Sequence, residues 1–223
     1  MTLPMLIGSV VALCYFAGSV PFGLIIGKLN KIDIREHGSG NIGATNVLRT
    51  LGKKWGFLCF SLDFLKGLIP VIAATRMTQE AGVGGEEYIP AIAVVTTVLG
   101  HVFSCFLKFK GGKGIATSAG AITAIAPYAF LSGFILWFLT MKISGYVSLA
   151  SIVAGIAIPF LALVSNTLQL QKEPISSCSI AILFIIAILV TVKHKTNIKR
   201  LREGTEPSFR KKKEEEEKCK LPS

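Results

Sequence analysis

The sequence predicts an all-α integral membrane protein with seven transmembrane helices, an external N-terminus and a cytoplasmic C-terminus. Three features predict this class: a mean hydropathy of +0.60 with 51% hydrophobic residues, long apolar runs, and loops that alternate between basic and acidic. A soluble domain of this size needs more polar surface to cover its core. We expect residues 1–208 to form a single membrane-embedded domain, and the charged residues 209–223 to be disordered.

The apolar runs give the helices in order. A helix needs about 20 apolar residues to cross the hydrocarbon core. The runs are 3–27, 55–74, 88–107, 115–141, 146–170 and 175–192. The fourth run would be about 40 Å long as one helix, against a core of about 30 Å. We therefore expect it to form two helices that turn near Pro127 and Tyr128, which gives seven spans.

The net charge of +11 is confined to a few segments. Basic residues lie between the first two runs, after the third run and after the last run, whereas the segments before the third and last runs are acidic or balanced. Cytoplasmic loops carry the excess of Lys and Arg, so this alternation places the N-terminus outside. Six crossings would place the basic tail outside, whereas seven keep it in the cytoplasm. The charge thus indicates topology, and nucleic acid is not an expected partner.

The first basic loop contains GSGNIGATN at 38–46, which fits the G-x-G-x-x-G pattern of a dinucleotide-binding turn. That turn requires a preceding strand, but a long apolar helix precedes the loop here, so a Rossmann site is not expected. Glycines before a helix can still hold a phosphate with free N–H groups, although a tight turn joining two spans is the plainer alternative. The candidate phosphate-binding residues are Gly38, Ser39, Gly40, Asn41, Gly43, Thr45, Asn46 and Arg49.

The second basic loop reads KFKGGKGIAT at 108–117. Its spacing does not match G-x-x-x-x-G-K-[ST], so nucleotide binding by a P-loop is not expected. A diglycine among lysines at the start of a helix is typical of an anion-binding turn, although lysine at the end of a span can also be a simple topology signal. The candidates are Lys110, Gly111, Gly112 and Lys113.

A third polar segment, KHKTNIKRLREGTE at 193–206, follows the last run directly. His194 and Asn197 are three residues apart, so they would share one face of a continuing helix, with Glu206 further along. The neighbouring basic residues are of the kind that contacts lipid headgroups.

Polar residues also occur inside the apolar runs. Asp63 and Lys66 are spaced i, i+3 in the second run. Because an unpaired charge near the bilayer centre costs about 2.5–3.5 kcal/mol, we expect them to pair with one another or with groups of the loops. An interfacial position, with Lys66 reaching towards water, is the alternative. His101, near the inner end of the third span, is a weaker supporting candidate that can serve as a buried polar contact.

These segments resemble the acyl-phosphate:glycerol-3-phosphate acyltransferases of bacterial membranes. The resemblance covers nearly the whole chain, and its motifs occur in the family's order. They are GSVPFG at 18–23, IDIREHGSGNIGATNVLRT at 32–50, DFLKG at 63–67, GHVFSCFLKFKGGKGIAT at 100–117 and HKTNIKRLREGTE at 194–206. One departure is Ser104, where the family usually has proline, and the charged tail lies outside the resemblance.

The resemblance implies a multi-pass enzyme of the bacterial plasma membrane with its active site on the cytoplasmic face. It would transfer a fatty acyl group from acyl phosphate to the 1-hydroxyl of glycerol 3-phosphate, giving lysophosphatidic acid and phosphate for phospholipid synthesis. No cofactor or metal is implied, and membrane lipid and the enzyme that makes acyl phosphate are the implied partners. The residues expected to be catalytic are Ser39, Lys113 and His194; Asn197 closes the site, and Asp63, Lys66, His101 and Glu206 support it.

The expected mechanism is direct transfer without an acyl-enzyme. The His-x-x-x-x-Asp dyad of related acyltransferases is absent, because the positions five residues after the three histidines are Ile42, Phe106 and Lys199. Acyl phosphate is already activated, so its own phosphate can accept the proton. A transporter of phosphate or a phosphorylated solute is the competing function, but such proteins usually show an internal repeat, and none is visible here.

Overall fold

The computed structural model describes residues 2–209, all of whose long elements are helices; residues 210–223 of the predicted disordered tail lie outside the described residues. The helices are α1 (Leu3–Ser19), α2 (Phe22–Leu29), α3 (Ala44–Leu51), α4 (Lys53–Ala81), α5 (Ile89–Val102), α6 (Ile115–Ile125), α7 (Pro127–Ser144), α8 (Val147–Thr167), α9 (Ser177–Lys193) and α10 (Lys195–Arg202). Short 3₁₀ turns occupy Ile34–Glu36 and Cys105–Leu107.

Five helical segments are long and apolar enough to cross a membrane: Leu3–Leu29, Lys53–Ala81, Ile89–Leu107, Pro127–Ser144 and Val147–Thr167. Helices α9 and α10 would form a sixth if they are counted as one span with a 55° bend. An all-α membrane architecture is therefore confirmed.

The fourth apolar run is divided as the sequence predicts. Helix α6 ends at Ile125, Ala126 has φ −144° and ψ 62°, and Pro127 is the first residue of α7. Proline lacks an N–H group and suits the first turn of a helix, so it favours a new helix at this point. The 11 residues of α6 extend about 16 Å, roughly half of the hydrocarbon core. Seven spans therefore stay a prediction.

The first apolar run is broken, although the sequence predicts one continuous span. Helix α1 ends at Ser19 and α2 starts at Phe22, because Pro21 cannot donate a backbone hydrogen bond. The ammonium group of Lys66 donates to the carbonyl oxygen of Val20 at 2.7 Å, which satisfies a backbone group at the break. Broken helices within a bilayer need this kind of compensation.

Glycines allow the helices to approach closely. A Cβ atom on Gly18 of α1 would lie 2.1 Å from the carbonyl oxygen of Thr97 in α5, and one on Gly67 of α4 would lie 2.1 Å from that of Thr117 in α6. Small residues at such crossings are typical of membrane helix packing. These contacts pack α1 against α5 and α4 against α6.

The loops gather at two ends of the bundle. At one end, the hydroxyl of Ser176 donates to the carbonyl oxygen of Glu87 at 2.6 Å, and the Gln171 amide lies 3.5 Å from the carbonyl oxygen of Ile125. At the other end lie the loops before α4 and α6, the α7–α8 turn and the segment after α9. The three polar segments that the sequence singles out therefore meet at one end.

Candidate functional site

The side chain of Asn46 organises the first glycine loop. Its Oδ1 accepts a hydrogen bond from the Ser39 amide at 2.8 Å, and its Nδ2 donates to the carbonyl oxygens of Ile34 and His37, each at 3.0 Å. Asn46 is only 2% exposed. A buried amide with these three bonds is engaged by the loop itself, so its contacts are those of a residue that shapes the loop.

The same loop positions the start of α3. The Oδ1 of Asn41 accepts from the Gly43 amide at 2.8 Å, and Gly43 precedes the first helical residue, so the predicted helix after the glycines is confirmed. Gly38 has φ +59° and Gly40 has φ +67°, a conformation that favours glycine. Ser39 is exposed and Thr45 is half-buried. The loop therefore presents Ser39 at its surface.

The second loop uses its diglycine for close packing. The amides of Gly111 and Gly112 donate to the carbonyl oxygens of Val102 and His101 at 3.1 and 3.2 Å. A Cβ on Gly111 would lie 2.0 Å from the His101 carbonyl oxygen, and one on Gly112 would lie 2.3 Å from His101 Nε2. These two N–H groups cap the end of α5, and the packing places Lys113 at the start of α6. Lys110 is exposed.

Lys113 belongs to a hydrogen-bonded network that joins the second and third polar segments. Its ammonium group donates to Oδ1 of Asn197, and Nδ2 of Asn197 donates to Oε1 of Glu206 at 2.8 Å. Lys113 is partly buried, whereas Asn197 and Glu206 are 5% exposed each. Asn197 therefore links the cation of one loop to the carboxylate of the C-terminal segment.

Glu206 accepts hydrogen bonds from two further side chains. Ser148 Oγ donates to Oε1 at 2.7 Å, and Arg200 Nε donates to Oε2 at 2.7 Å. Burial alone raises the pKa of the Glu206 carboxyl, but the hydrogen bonds from Arg200, Asn197 and Ser148 lower it below its usual value overall. The carboxylate is therefore ionised and holds α8 and α10 together.

Arg49 joins the first loop to the C-terminal segment. Its Nη2 donates to the carbonyl oxygen of Pro207 at 3.1 Å, and its guanidinium lies over the ring of Phe209, 5.2 Å from the centroid. Burial lowers the pKa of Arg49, as does Arg200, and Glu206 opposes them. A guanidinium nonetheless stays protonated near neutral pH.

Positive charge predominates among the charged groups of the site. The pKa of Lys113 is lowered from its usual 10.5 to about 8, chiefly by burial; Arg200 and Arg49 contribute to this lowering, and Glu206 opposes it. Electrostatic interactions thus couple three cations, Arg49, Lys113 and Arg200, with one carboxylate, Glu206. Three cations against one anion leave an excess of positive charge, which a phosphate would neutralise.

His194 lies at the bend between α9 and α10. The expected continuing helix is wrong in this detail, since the chain turns by 55° between Lys193 and Lys195. His194 is 2% exposed, and its Nδ1 lies 2.8 Å from the carbonyl oxygen of Val190. A carbonyl oxygen can only accept, so Nδ1 is assigned the proton and Nε2 is an acceptor.

Asp63, Lys66 and His101 form a second buried polar cluster. Lys66 Nζ lies 2.7 Å from Asp63 Oδ1, which confirms the predicted pair. His101 Nδ1 lies 3.9 Å from the same oxygen and 3.1 Å from the hydroxyl of Thr117. Because His101 also packs against Gly112, this cluster supports the second loop from below.

The fold brings Arg49, Lys113, Asn197 and Glu206 into one connected site, while Asp63, Lys66 and His101 form the cluster beside it. Sequence reasoning did not single out Ser148 or Pro207, and it placed Arg200 with headgroup-binding residues. It also placed Phe209 at the start of the tail expected to be disordered, whereas the structure shows Phe209 in contact with Gly145 and Arg49. Arg200 stands three residues after Asn197 on α10, and that helical spacing is the one signal that could have found it.

Comparisons with known proteins agree with one another. A family model described as glycerol-3-phosphate acyltransferase matches residues 8–204. A glycerol-3-phosphate acyltransferase of Trichlorobacter lovleyi is 42% identical over 200 residues, covering 90% of this chain and 96% of that protein. One of Bacillus subtilis is 40% identical over 208 residues, covering 92% and 99%.

Two solved structures are also similar. Both are crystal structures of PlsY (YgiH), an integral membrane glycerol 3-phosphate acyltransferase. The glycerol 3-phosphate form has a TM-score of 0.81 at 38% identity, and the lysophosphatidic acid form has a TM-score of 0.79 at 37% identity. Each match covers 91% of this chain and 95% of the other.

Proposed function

The chain belongs to the glycerol-3-phosphate acyltransferase family, and from this membership we propose that it transfers a fatty acyl group from acyl phosphate to the 1-hydroxyl of glycerol 3-phosphate. The products are lysophosphatidic acid and inorganic phosphate. The observation that carries the proposal is the excess of positive charge formed by Arg49, Lys113 and Arg200 around Glu206. Both substrates and both products carry phosphate, so such a site suits every stage of the reaction.

Some residues of the site contact the substrate, and others hold those residues in position. Arg49 and Lys113 bind phosphate, because they are the cations that the first two loops contribute. Asn197 positions Lys113 through the hydrogen bond to its ammonium group. Nε2 of His194 accepts a hydrogen bond from a substrate hydroxyl, since the proton on Nδ1 is directed to Val190.

The loop residues have complementary roles. Ser39 and Thr45 offer hydroxyl donors from the first loop, and Gly38 and Gly40 keep its backbone close to the ligand. Lys110 attracts anionic substrate from the surface of the second loop. In contrast, Asn46 and the diglycine act by holding the loops in shape, because their polar groups are bonded within the protein.

The transfer is direct. The 1-hydroxyl oxygen attacks the acyl carbonyl carbon, a new ester bond forms, and the bond between that carbon and the phosphate oxygen breaks. The electron pair leaves with the phosphate, which also takes the hydroxyl proton. Lys113 and Arg49 stabilise the charge that develops on the phosphate, and such preorganised groups are usually the largest contribution to catalysis. Trapping of an acyl group on Ser39 would contradict this route.

We place the site on the cytoplasmic face of a bacterial plasma membrane, in a chain that crosses seven times with its N-terminus outside. The basic loops support this orientation, because positive charge is retained in the cytoplasm. The short helix α6 would complete the seventh crossing, and the approach of Gln171 to Ile125 at the opposite end supports it. Cysteine labelling of an exposed loop position at each end, in intact and permeabilised cells, tests the orientation.

The reaction is tested with purified protein in lipid mesophase or detergent. Acyl phosphate and glycerol 3-phosphate together should yield lysophosphatidic acid and phosphate in equal amounts, and omission of glycerol 3-phosphate should abolish both. Phosphate release without the lipid product would contradict acyl transfer. If neither product forms and phosphate enters proteoliposomes that contain the protein, a transporter is favoured instead.

A further inference from the structure

The C-terminal segment that contacts Arg49 lies just past the end of the family-model match. The family model ends at residue 204, whereas the contacts to Arg49 come from Pro207 and Phe209. The family model therefore does not cover these two residues. Immediately before them in the chain, the side chain of Glu206 is held by Ser148, Asn197 and Arg200.

Phe209 is fixed at its backbone. Its amide donates to the carbonyl oxygen of Gly145 at 3.0 Å, in the turn between α7 and α8. Gly145 has φ +76°, the left-handed conformation that ends α7. Both ends of the segment from Glu206 to Phe209 are therefore tied to the α7–α8 region, which limits where the phenyl ring can lie.

The segment constrains the guanidinium of Arg49 in two directions. The Pro207 carbonyl oxygen accepts one of its N–H groups at 3.1 Å, and its Cζ atom lies over the Phe209 ring, 5.2 Å from the centroid. A guanidinium has five N–H donors in a planar fork, so a hydrogen bond and a ring contact together restrict its rotation. The edge bonded to Pro207 uses one donor, and the remaining donors suit two phosphate oxygens.

We propose that Phe209 is a positioning residue for Arg49, which it holds in the orientation that binds a substrate phosphate. The inference rests on the proposed function, since it takes Arg49 as a phosphate ligand. Loss of the ring frees the guanidinium to rotate. The guanidinium must then be ordered when the substrate binds, and this entropic cost weakens binding. Because Phe209 acts through Arg49, loss of the ring should weaken binding of the same substrate whose phosphate Arg49 binds.

The experiment compares Phe209→Ala, Arg49→Ala and the double variant in the full-length protein, measuring the KM of each substrate separately. We expect Phe209→Ala to raise the KM of the same substrate as Arg49→Ala does, by about three- to tenfold, the range expected of a cation–π contact. The double variant should show no larger KM increase than Arg49→Ala alone. Phe209→Tyr, which keeps the ring, should restore the wild-type KM.

Two controls separate positioning from folding. Phe209→Leu keeps an apolar side chain but has no aromatic face, so it should show the KM increase with an unchanged melting temperature. Phe106→Ala removes a phenyl ring that is 60% exposed and should leave both KM values unchanged. An unchanged KM in Phe209→Ala, with an increase in Arg49→Ala, overturns the inference and leaves the proposed function intact. No effect of Arg49→Ala overturns both the inference and the assignment of Arg49.

Discussion

The amide oxygen of Asn197 accepts a hydrogen bond from the ammonium group of Lys113, 84 residues away in the chain. The amide nitrogen of Asn197 donates to Glu206 at 2.8 Å, so the orientation of the amide is set by a cation on one side and a carboxylate on the other. This arrangement fixes the position of Lys113 without neutralising it. The ammonium group therefore keeps its charge, which the proposed function assigns to binding a substrate phosphate.

Loss of that charge should lower activity strongly. We expect Lys113→Met to reduce kcat/KM by about 10²–10³-fold, because the variant removes a preorganised group that stabilises developing charge. Lys113→Arg should recover part of the rate, since it restores the charge with a different shape. Lys199→Gln is the matched control, because Lys199 lies on α10 with a side chain that is 76% exposed. A similar loss in Lys199→Gln would show that net charge, and not Lys113, is responsible.

The activity should depend on pH through Lys113. Burial, with Arg200 and Arg49, lowers its pKa to about 8, so the free enzyme loses the ammonium charge as pH rises through 8. We expect kcat/KM to be at a plateau just below that pH and to fall above it. Bound phosphate favours the charged form, so kcat should fall only at higher pH. In Lys113→Arg the decline near pH 8 should disappear, because arginine does not titrate there; persistence of the decline would assign it to another group.

The diglycine should be needed for packing. Gly111→Ala places a Cβ 2.0 Å from the His101 backbone carbonyl oxygen, which cannot move without distorting the end of α5. We expect the free energy of unfolding to fall by about 1–3 kcal/mol, as for other overpacked sites. Gly8→Ala is the matched control, because the structure shows open space around Gly8 within α1. Equal melting temperatures for the two variants would argue against a packing role.

The buried pair Asp63–Lys66 should behave as a unit. Removal of one partner leaves a buried charge without compensation, so we expect Asp63→Asn and Lys66→Met each to destabilise the protein by about 3 kcal/mol. The double variant should be less destabilised than the sum of the two, because both charges are then gone. Thermal unfolding of the four proteins in one detergent measures the coupling. Additive effects would mean that the 2.7 Å contact contributes nothing of its own.

The sequence was sufficient for the class of fold and for the three polar segments. Apolar runs and the alternation of basic loops are properties of neighbouring residues, so they predict membrane helices and their ends without knowledge of packing. The break at Pro127 was also predictable, because the effect of proline on a helix is local to its own position in the sequence. The break at Pro21 was not predicted, because hydropathy stays high across it. The tertiary structure shows the hydrogen bond from Lys66 that satisfies the carbonyl oxygen of Val20 at the break.

Roles within the site depend on contacts that are distant in the chain. Asn46 and the diglycine look like phosphate ligands in the sequence, yet the folded chain uses their polar groups for its own loops. Arg49 meets Pro207 across 158 residues, and no local pattern predicts that contact. Hydropathy and charge decide where a segment lies relative to the membrane, whereas the pairing of each donor with an acceptor is decided by helix packing in three dimensions.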